Sequence, residues 1–438
     1  MSLKKKVFGQ FIFSLVSRFL MLAIKVPLTF FLIHQLSQKE YGFYAIIVST
    51  LGIWISIVDL GWGDYLRREL PILMENAQKK MLKNAASIHG LWSLLLLGMG
   101  VLLWKTKTFF QFEDFMLTEG FGLSIVFLLI LGGYFPLIQI YLNYSKSIEE
   151  FNKITLLQMS VWFSSLLILY FFIPLQLQTI LWTWVLSYAV TYIYFFARHR
   201  FFIFGITEKE FLIKSFRFGF PLFGSDAGKK ILQYYDRYLL GAYSSLSEVA
   251  IYHLFNTIFD VAERANQITL HPYIYQAHDE KKISRRNRLM TSLLKSRIVL
   301  QILGIAVGAL VIFKVPHVLP DNYKASMPLF LLIGAASLMR TAALTPGLSL
   351  LLEKKSSVVL VTNTIGIITS VILNLKLIPI YQAYGAAMSL LGSTLVTTCL
   401  QLFFLRIWEY LDYKQLFSLK AEISLFREWF ASFKKRGL

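Results

Sequence analysis

Twelve apolar stretches follow one another along the chain, and they constrain its fold more than any other sequence feature. Each has roughly the 20 residues that a helix needs to cross the hydrocarbon core of a bilayer. Because lipid offers the backbone no hydrogen-bond partner, a continuous apolar run of this length is satisfied as a helix. The stretches are residues 11–33, 41–63, 84–104, 121–143, 154–173, 179–197, 216–240, 249–272, 293–313, 327–351, 357–379 and 384–405.

The composition agrees with a lipid environment. Hydrophobic residues make up 56% of the chain and charged residues only 16%, whereas soluble domains have about 25% charged residues. The sequence therefore predicts an all-α integral membrane protein, with twelve transmembrane helices in two six-helix lobes around a central cavity. The first stretch contains Arg18 and Lys25 and has no A-x-A cleavage site, so we interpret it as a retained helix and not as a signal peptide.

The distribution of basic residues predicts the orientation of these helices. If the N-terminus is cytoplasmic, the segments on the outer side hold few of the 44 Lys and Arg residues. By the positive-inside rule, both termini are then predicted to be cytoplasmic. The formal net charge of +19 is interpreted as a topology determinant beside anionic membrane lipids, so no nucleic-acid partner is predicted. The outer basic residues are Lys39, Lys105, Lys107, Lys314, Lys324 and Lys376.

An internal repeat is predicted from hydropathy. A shift of 208 residues places each of the first six stretches on one of the last six. Because six is even, the two halves are parallel, and such pairs typically flank a cavity that opens alternately to each side. The predicted domains are an N-terminal lobe at 1–200, a C-terminal lobe at 201–406 and a cytoplasmic, basic amphipathic tail at 407–438.

Charged side chains inside the apolar stretches are the main functional signal, because each is costly in lipid. In the seventh stretch, Asp226, Lys229, Lys230 and Arg237 share one helix face. Such groups either pair with neighbours on their own helix or line a water-filled cavity. Basic residues outnumber acidic ones in the stretches, which favours a cationic cavity for an anionic substrate.

Two groups of candidate site residues follow. The residues predicted to attract an anionic substrate in the cavity are Arg18, Lys25, Lys229, Lys230, Arg237, Arg264 and Arg340. Carboxylates away from water can bind and release protons, so the candidates for coupling to H⁺ or Na⁺ are Asp226, Asp260 and Glu263. A salt bridge between Asp260 and Arg264 is the competing role. Gly219 is a candidate for helix flexing or for close helix packing.

Other function classes are disfavoured. Cys399 is the single cysteine, which leaves no internal disulfide and no Cys-based metal site. The seven His residues show no metal-ligand spacing, so no metal and no cofactor are predicted. The outer segments between stretches are short and have few paired carboxylates. An enzyme is therefore not predicted.

Three segments resemble a known family. Residues 36–70, LSQKEYGFYAIIVSTLGIWISIVDLGWGDYLRREL, resemble the second span of the polysaccharide transporter family. This family is the O-antigen flippase-like branch of the multidrug/oligosaccharidyl-lipid/polysaccharide exporter superfamily. Residues 216–243 look like its seventh span, with Asp236 and Arg237 at the Asp-Arg positions, and residues 363–393 are similar to its last two spans.

The resemblance implies a flippase that moves an undecaprenyl-diphosphate-linked oligosaccharide, an O-antigen or other surface polysaccharide repeat unit, across the bacterial inner membrane by alternating access. It implies as partners the lipid-linked oligosaccharide and membrane lipids, together with a polysaccharide polymerase and chain-length machinery. In this family, cationic cavity residues engage the diphosphate or acidic sugars, although Lys229 and Lys230 are not family-wide features. The alternative is a small-molecule or drug cation antiporter of the same superfamily, whose substrate the basic excess would repel.

Overall fold

Helices make up nearly all of this computed structural model, which describes residues 3–105, 119–146, 148–199, 208–278, 283–314, 318–324, 326–352 and 355–407. The described residues contain no β-strand, so the predicted all-α class is confirmed. A 3₁₀ turn (Leu70–Ile72) and a π-helical turn (Leu142–Lys146) follow the third and fifth α-helices. The α-helices are α1 (Leu3–Gln35), α2 (Gln38–Asp59), α3 (Trp62–Glu69), α4 (Glu75–Lys105), α5 (Glu119–Tyr141), α6 (Ile148–Tyr170), α7 (Leu177–His199), α8 (Lys209–Tyr243), α9 (Leu246–His278), α10 (Ile283–Lys314), α11 (Asp321–Lys324), α12 (Met327–Leu352) and α13 (Ser356–Ile407).

All twelve predicted apolar stretches overlap these helices. Within the described part of the chain, seven helical segments are long and apolar enough to cross a membrane. The chain is therefore a multispan helical membrane protein, while the number of twelve crossings stays a prediction. The seven segments are Gln38–Asp59, Gly120–Tyr144, Ile148–Tyr170, Leu177–His199, Met290–Lys314, Met327–Gly347 and Ser357–Leu405.

Helix α13 contains both of the last two predicted stretches. Its backbone breaks at Gln382, which has φ 52° and ψ −127°. Gly385 lies so close to the Leu377 carbonyl that no Cβ would fit there. Beyond the break, Ser389 Oγ donates a hydrogen bond of 3.0 Å to the Ser370 carbonyl. The two segments of α13 therefore pack against each other as a hairpin, as two separate predicted spans require.

Two residues with left-handed backbone conformation end α2. Leu60 has φ 41° and Gly61 has φ 84°, a region that favours glycine. The chain then turns into α3, in which Trp62 and Leu66 are buried. The predicted second stretch, 41–63, is therefore wrong at its C-terminal end, because the helix stops before this turn.

Close contacts divide the chain into two compact units, with boundaries inside α8, between α8 and α9, and inside α9. The predicted lobe boundary after residue 200 lies before α8, and the assignment of six helices to each lobe stays a prediction. The predicted amphipathic tail falls almost entirely on residues 408–438, which lie outside the described residues. Unit 1 consists of the described residues up to Tyr238 and of Ser245–Ala250, and unit 2 of Leu239–Ser244 and the described residues from Ile251 onward.

In unit 1, α5 packs against α2, α4 and α7, and α6 packs against α1 and α7. The indole rings of Trp162 on α6 and Trp184 on α7 stack with centres 4.7 Å apart. Beside them, Gln158 Nε2 donates a hydrogen bond of 3.0 Å to Ser187 Oγ. Polar side chains on facing helices thus satisfy each other inside the bundle, which is how apolar membrane helices accommodate them.

Helix α8 touches α2 and the turn that follows it at separate points within unit 1. The backbones at Gly61 and Gly219 approach so closely that neither position has room for a Cβ. Further along α8, the hydroxyls of Tyr238 and Thr50 lie 2.6 Å apart. Gly219 therefore serves close packing, one of its two predicted roles.

In unit 2, α12 packs against α10 and α13. The ring of Phe330 on α12 lies 5.3 Å from that of Phe255 and 4.7 Å from that of Phe259, both on α9. All three side chains are buried. This aromatic core fixes α9 and α12 side by side.

The helix starts repeat along the chain with the predicted offset of 208 residues. Helices α2, α4, α5 and α6 begin at residues 38, 75, 119 and 148, and α9, α10, α12 and α13 begin at residues 246, 283, 327 and 356. In each pair the second number exceeds the first by 208. The repeat that hydropathy indicated is therefore present in the positions of the helices.

Candidate functional site

Three predicted site residues meet in a polar cluster within unit 2. Asp260 and Glu263 are three residues apart on α9, so they share a helix face. Arg340 on α12 reaches both, with Nη2 3.0 Å from Glu263 Oε1 and 3.5 Å from Asp260 Oδ1. We refer to these residues, together with Ser337 and Gln301, as the carboxylate cluster.

Ser337 and Gln301 complete the carboxylate cluster, and neither residue is among the predicted site residues. Ser337 Oγ donates a hydrogen bond of 2.6 Å to Glu263 Oε1, and Gln301 Nε2 donates one of 2.8 Å to Ser337 Oγ. Both side chains are buried. The chain of bonds links α9, α10 and α12. Polar residues within apolar stretches were the available signal, but such residues are too frequent to single out these two.

The carboxylate cluster has more negative than positive charge among its described side chains. Two carboxylates share the guanidinium of Arg340, and the three side chains are between 12% and 24% exposed. Arg340 is thus largely neutralised, which weakens its predicted attraction for an anion. Carboxylates can instead bind H⁺, and carboxylate, hydroxyl and amide oxygens can bind a hard cation such as Na⁺.

Arg237 lies in a different environment, between α8 and α2 in unit 1. Its side chain is only 4% exposed. Nη1 donates a hydrogen bond of 3.3 Å to Ser49 Oγ on α2, and the guanidinium carbon lies 5.0 Å from the ring centre of Tyr234. The preceding residue, Asp236, accepts a hydrogen bond of 2.8 Å from the Arg237 backbone N–H. Arg237 therefore holds α8 on α2 and presents little charge to a substrate.

Lys230 presents its ammonium more openly than Arg237 does. Its Nζ donates an exposed hydrogen bond of 3.4 Å to Gln233 Oε1 and lies 5.8 Å from the ring centre of Tyr234. Lys25 is a second partly exposed lysine, on α1, where its carbonyl accepts a hydrogen bond of 2.9 Å from Thr29 Oγ1. Both lysines are thus partly exposed within unit 1, in contrast to Arg237.

Four predicted site residues have backbones on described helices but side chains outside the described part. Arg18 is on α1, Asp226 and Lys229 are on α8, and Arg264 is on α9. Their roles, the competing Asp260–Arg264 salt bridge and the central cavity stay predictions.

A further buried cation, Arg297 on α10, was also missed. It is fully buried within the described structure. It lies in the predicted stretch 293–313, so a search for cations inside apolar stretches could have found it.

Comparison with known proteins gives one family match. The model of a family described as "Polysaccharide biosynthesis protein" matches residues 3–278, which is more than half of the 438 residues. None of the curated proteins matches the chain at a significant level.

Solved structures share the fold at low sequence identity. The lipid II flippase MurJ in an inward closed conformation superposes with a TM-score of 0.68 at 14% identity, covering 96% of this chain and 92% of that one. An inward-facing multidrug resistance transporter of the MATE family gives a TM-score of 0.65 at 12% identity, covering 91% and 98%. The MATE multidrug transporter DinF-BH gives 0.60 at 15% identity, covering 93% and 96%. At these identities the likeness shows the fold alone.

Proposed function

The chain belongs to the polysaccharide biosynthesis protein family, and on this basis we propose that it is a flippase for an undecaprenyl-diphosphate-linked oligosaccharide. The match over residues 3–278 is the observation that carries the proposal. The substrate is an O-antigen or other surface polysaccharide repeat unit. It moves by alternating access from the cytoplasmic to the outer leaflet of a bacterial inner membrane, with both termini of the protein cytoplasmic. A fold shared with transporters supports transport in place of catalysis.

The cations on the helices divide into two proposed roles. The partial exposure of Lys230 and Lys25 supports an attraction for the diphosphate, because a lysine acts as a point charge toward phosphate. Arg18, Lys229 and Arg264 are proposed to attract the same anionic group. Two arginines, at positions 237 and 340, instead hold neighbouring helices together through their protein partners.

The carboxylate cluster is the proposed coupling site, together with Asp226. An H⁺ or Na⁺ that binds Asp260 or Glu263 competes with the guanidinium of Arg340 and so weakens a link between α9 and α12. A ligand changes a conformational equilibrium only through such a difference in interaction between states. Ion binding at the cluster would thereby favour one state of the transport cycle.

Export in cells tests the proposed function. In bacteria that lack the gene, lipid-linked oligosaccharide should accumulate on the cytoplasmic leaflet, and the intact gene should restore its export. At matched membrane levels Lys230→Ala should impair export, whereas Lys376→Ala, at an exposed lysine of α13, should not. Equal export by both variants would remove the role of Lys230. A deletion without accumulation would remove the flippase proposal itself.

A cation antiporter of the same superfamily is the second candidate, and the excess of carboxylates over guanidinium in the carboxylate cluster favours it. Purified protein in liposomes separates the two candidates. A flippase translocates a fluorescent lipid-diphosphate oligosaccharide and does not transport a cationic dye. An antiporter transports the cationic dye and does not translocate the lipid-linked oligosaccharide. For the flippase, a polysaccharide polymerase and chain-length machinery are the proposed partners, because they would consume the translocated units.

A further inference from the structure

An open groove lies within unit 1, where α3 meets the first turns of α8. Its volume is about 530 Å³. None of its lining residues is among the substrate-binding or coupling residues discussed above. The groove is lined by Tyr65, Arg68, Glu69, Lys214, Arg217 and Phe218.

Close packing of two glycines holds the two helices of this groove together. The contact between Gly61 and Gly219 brings α3 against α8 at backbone distance. Tyr65 on α3 then packs its ring 5.7 Å from that of Phe211 and 6.1 Å from that of Phe218, both on α8. Tyr65 is buried by these contacts. The groove therefore has a fixed aromatic floor.

The rim of the groove is predominantly basic. Arg68 lies 4.7 Å from the ring centre of Phe218 and 3.3 Å from Glu69 Oε1, yet its side chain is 60% exposed. Lys214 pairs with Glu210 at 2.6 Å in an exposed ion pair. Arg217 is exposed and makes no ion pair with any residue that the structure describes. Since Arg68 pairs with Glu69 and Lys214 with Glu210, Arg217 carries the positive charge that these two pairs leave unbalanced at the groove.

The groove also lies where a membrane surface is expected. Helix α3 begins three residues after the last residue of the apolar helix α2, Asp59, so it is close to the end of a predicted membrane crossing. The positive-inside rule predicts that this end is cytoplasmic. Basic groups at this level attract the anionic lipids of the cytoplasmic leaflet.

We propose that the groove binds the phosphate group of an anionic lipid of the cytoplasmic leaflet. Guanidinium groups bind phosphate oxygens in a bidentate manner, and Arg217 and Arg68 are placed to do so from opposite elements. The aromatic floor of Tyr65 and Phe218 contacts the apolar part of the lipid next to its phosphate. The assignment of the lipid to the cytoplasmic leaflet rests on the proposed orientation of the protein, whereas the site itself does not depend on the flippase proposal.

Native mass spectrometry of the purified full-length protein tests this site. The probes are phosphatidylglycerol, undecaprenyl diphosphate, inorganic phosphate and, as a neutral control, phosphatidylcholine. Loss of one cation from a site of this kind should weaken anionic lipid binding about five-fold. Arg217→Gln and Arg68→Gln should each show this loss. Arg67→Gln is the matched control, because Arg67 is exposed on the same helix and pairs with Asp64 outside the groove.

The outcomes separate the sources of the phosphate. If phosphatidylglycerol binds more tightly than undecaprenyl diphosphate, the site is supported and its occupant is a bulk lipid. If undecaprenyl diphosphate binds more tightly, the site is supported and its occupant is a substrate-like lipid. Equal losses in Arg217→Gln and Arg67→Gln would overturn it, because only the general surface charge would matter. The proposal is also overturned if inorganic phosphate binds the site as tightly as the anionic lipids do. The same holds if phosphatidylcholine binds as tightly as phosphatidylglycerol. If export stays normal when binding is lost, the flippase proposal stands without this site.

Discussion

Replacement of Arg340 by Met tests whether the carboxylate cluster is held by its single guanidinium. The change keeps an unbranched side chain but removes the guanidinium charge and its bonds to Asp260 and Glu263. Both carboxylates then face each other within unit 2 without that cation. Since the three side chains are at most 24% exposed, water compensates only part of the loss.

The expected magnitude follows from this burial. Removal of one partner of a fully buried ion pair costs about 3 to 5 kcal/mol, so the partial exposure here places Arg340→Met near 3 kcal/mol. Glu263→Gln should cost less, about 1 kcal/mol, because it leaves Arg340 with Asp260 and keeps an acceptor for Ser337. In the Glu263→Gln background, Arg340→Met should cost roughly 1 to 2 kcal/mol less than in the wild type.

Reversible unfolding of the purified full-length protein in mixed micelles measures these free energies. Lys376→Met, at an exposed lysine of α13, is the control and should leave the free energy of unfolding unchanged. The reasoning is refuted if Arg340→Met behaves like this control. It is also refuted if the losses of the two single variants simply add in the double variant, because independent side chains do not form a cluster.

Further predictions concern helix packing and helix ends. Gly219→Ala should lower the free energy of unfolding by about 1 to 3 kcal/mol, because its Cβ would collide with the backbone at Gly61. Gly98→Ala, where nothing lies within 4 Å, should instead be neutral or stabilise by up to about 1 kcal/mol; equal effects of the two changes would contradict the packing. Ser37→Ala should cost about 1 kcal/mol, since Ser37 and Glu40 form a capping box at the start of α2. The same unfolding measurement checks each change, and an unaltered stability of Ser37→Ala would show that water replaces the cap.

The helices could be predicted from sequence because apolar length is a local property. The stretches at 84–104 and 179–197 fall entirely inside α4 and α7, and the 208-residue offset recurs in the helix starts. The end of α2 was misplaced because apolar residues continue past the turn at Leu60 and Gly61. Backbone conformation at such a turn is not encoded in hydropathy.

The partners of the charged side chains could not be predicted in the same way. Sequence spacing indicated that Asp260 shares a face with its neighbours on α9, but its observed partner, Arg340, is 80 residues away on α12. Similarly, nothing in the spacing of α8 indicates that Arg237 reaches Ser49 on α2, 188 residues earlier. Polar partners on other helices depend on which faces pack together.

The sequence by itself determined that this is a membrane protein of repeated helices with a cationic bias, because lipid imposes length and apolarity on every crossing. Only the tertiary structure decided how each embedded charge is used. Arg340 is shared by two carboxylates, Arg237 is enclosed between helices, and Lys230 is partly exposed beside Gln233. The physical reason is that the cost of a charge in the membrane depends on what surrounds it in three dimensions, and those surroundings come from residues distant in the chain.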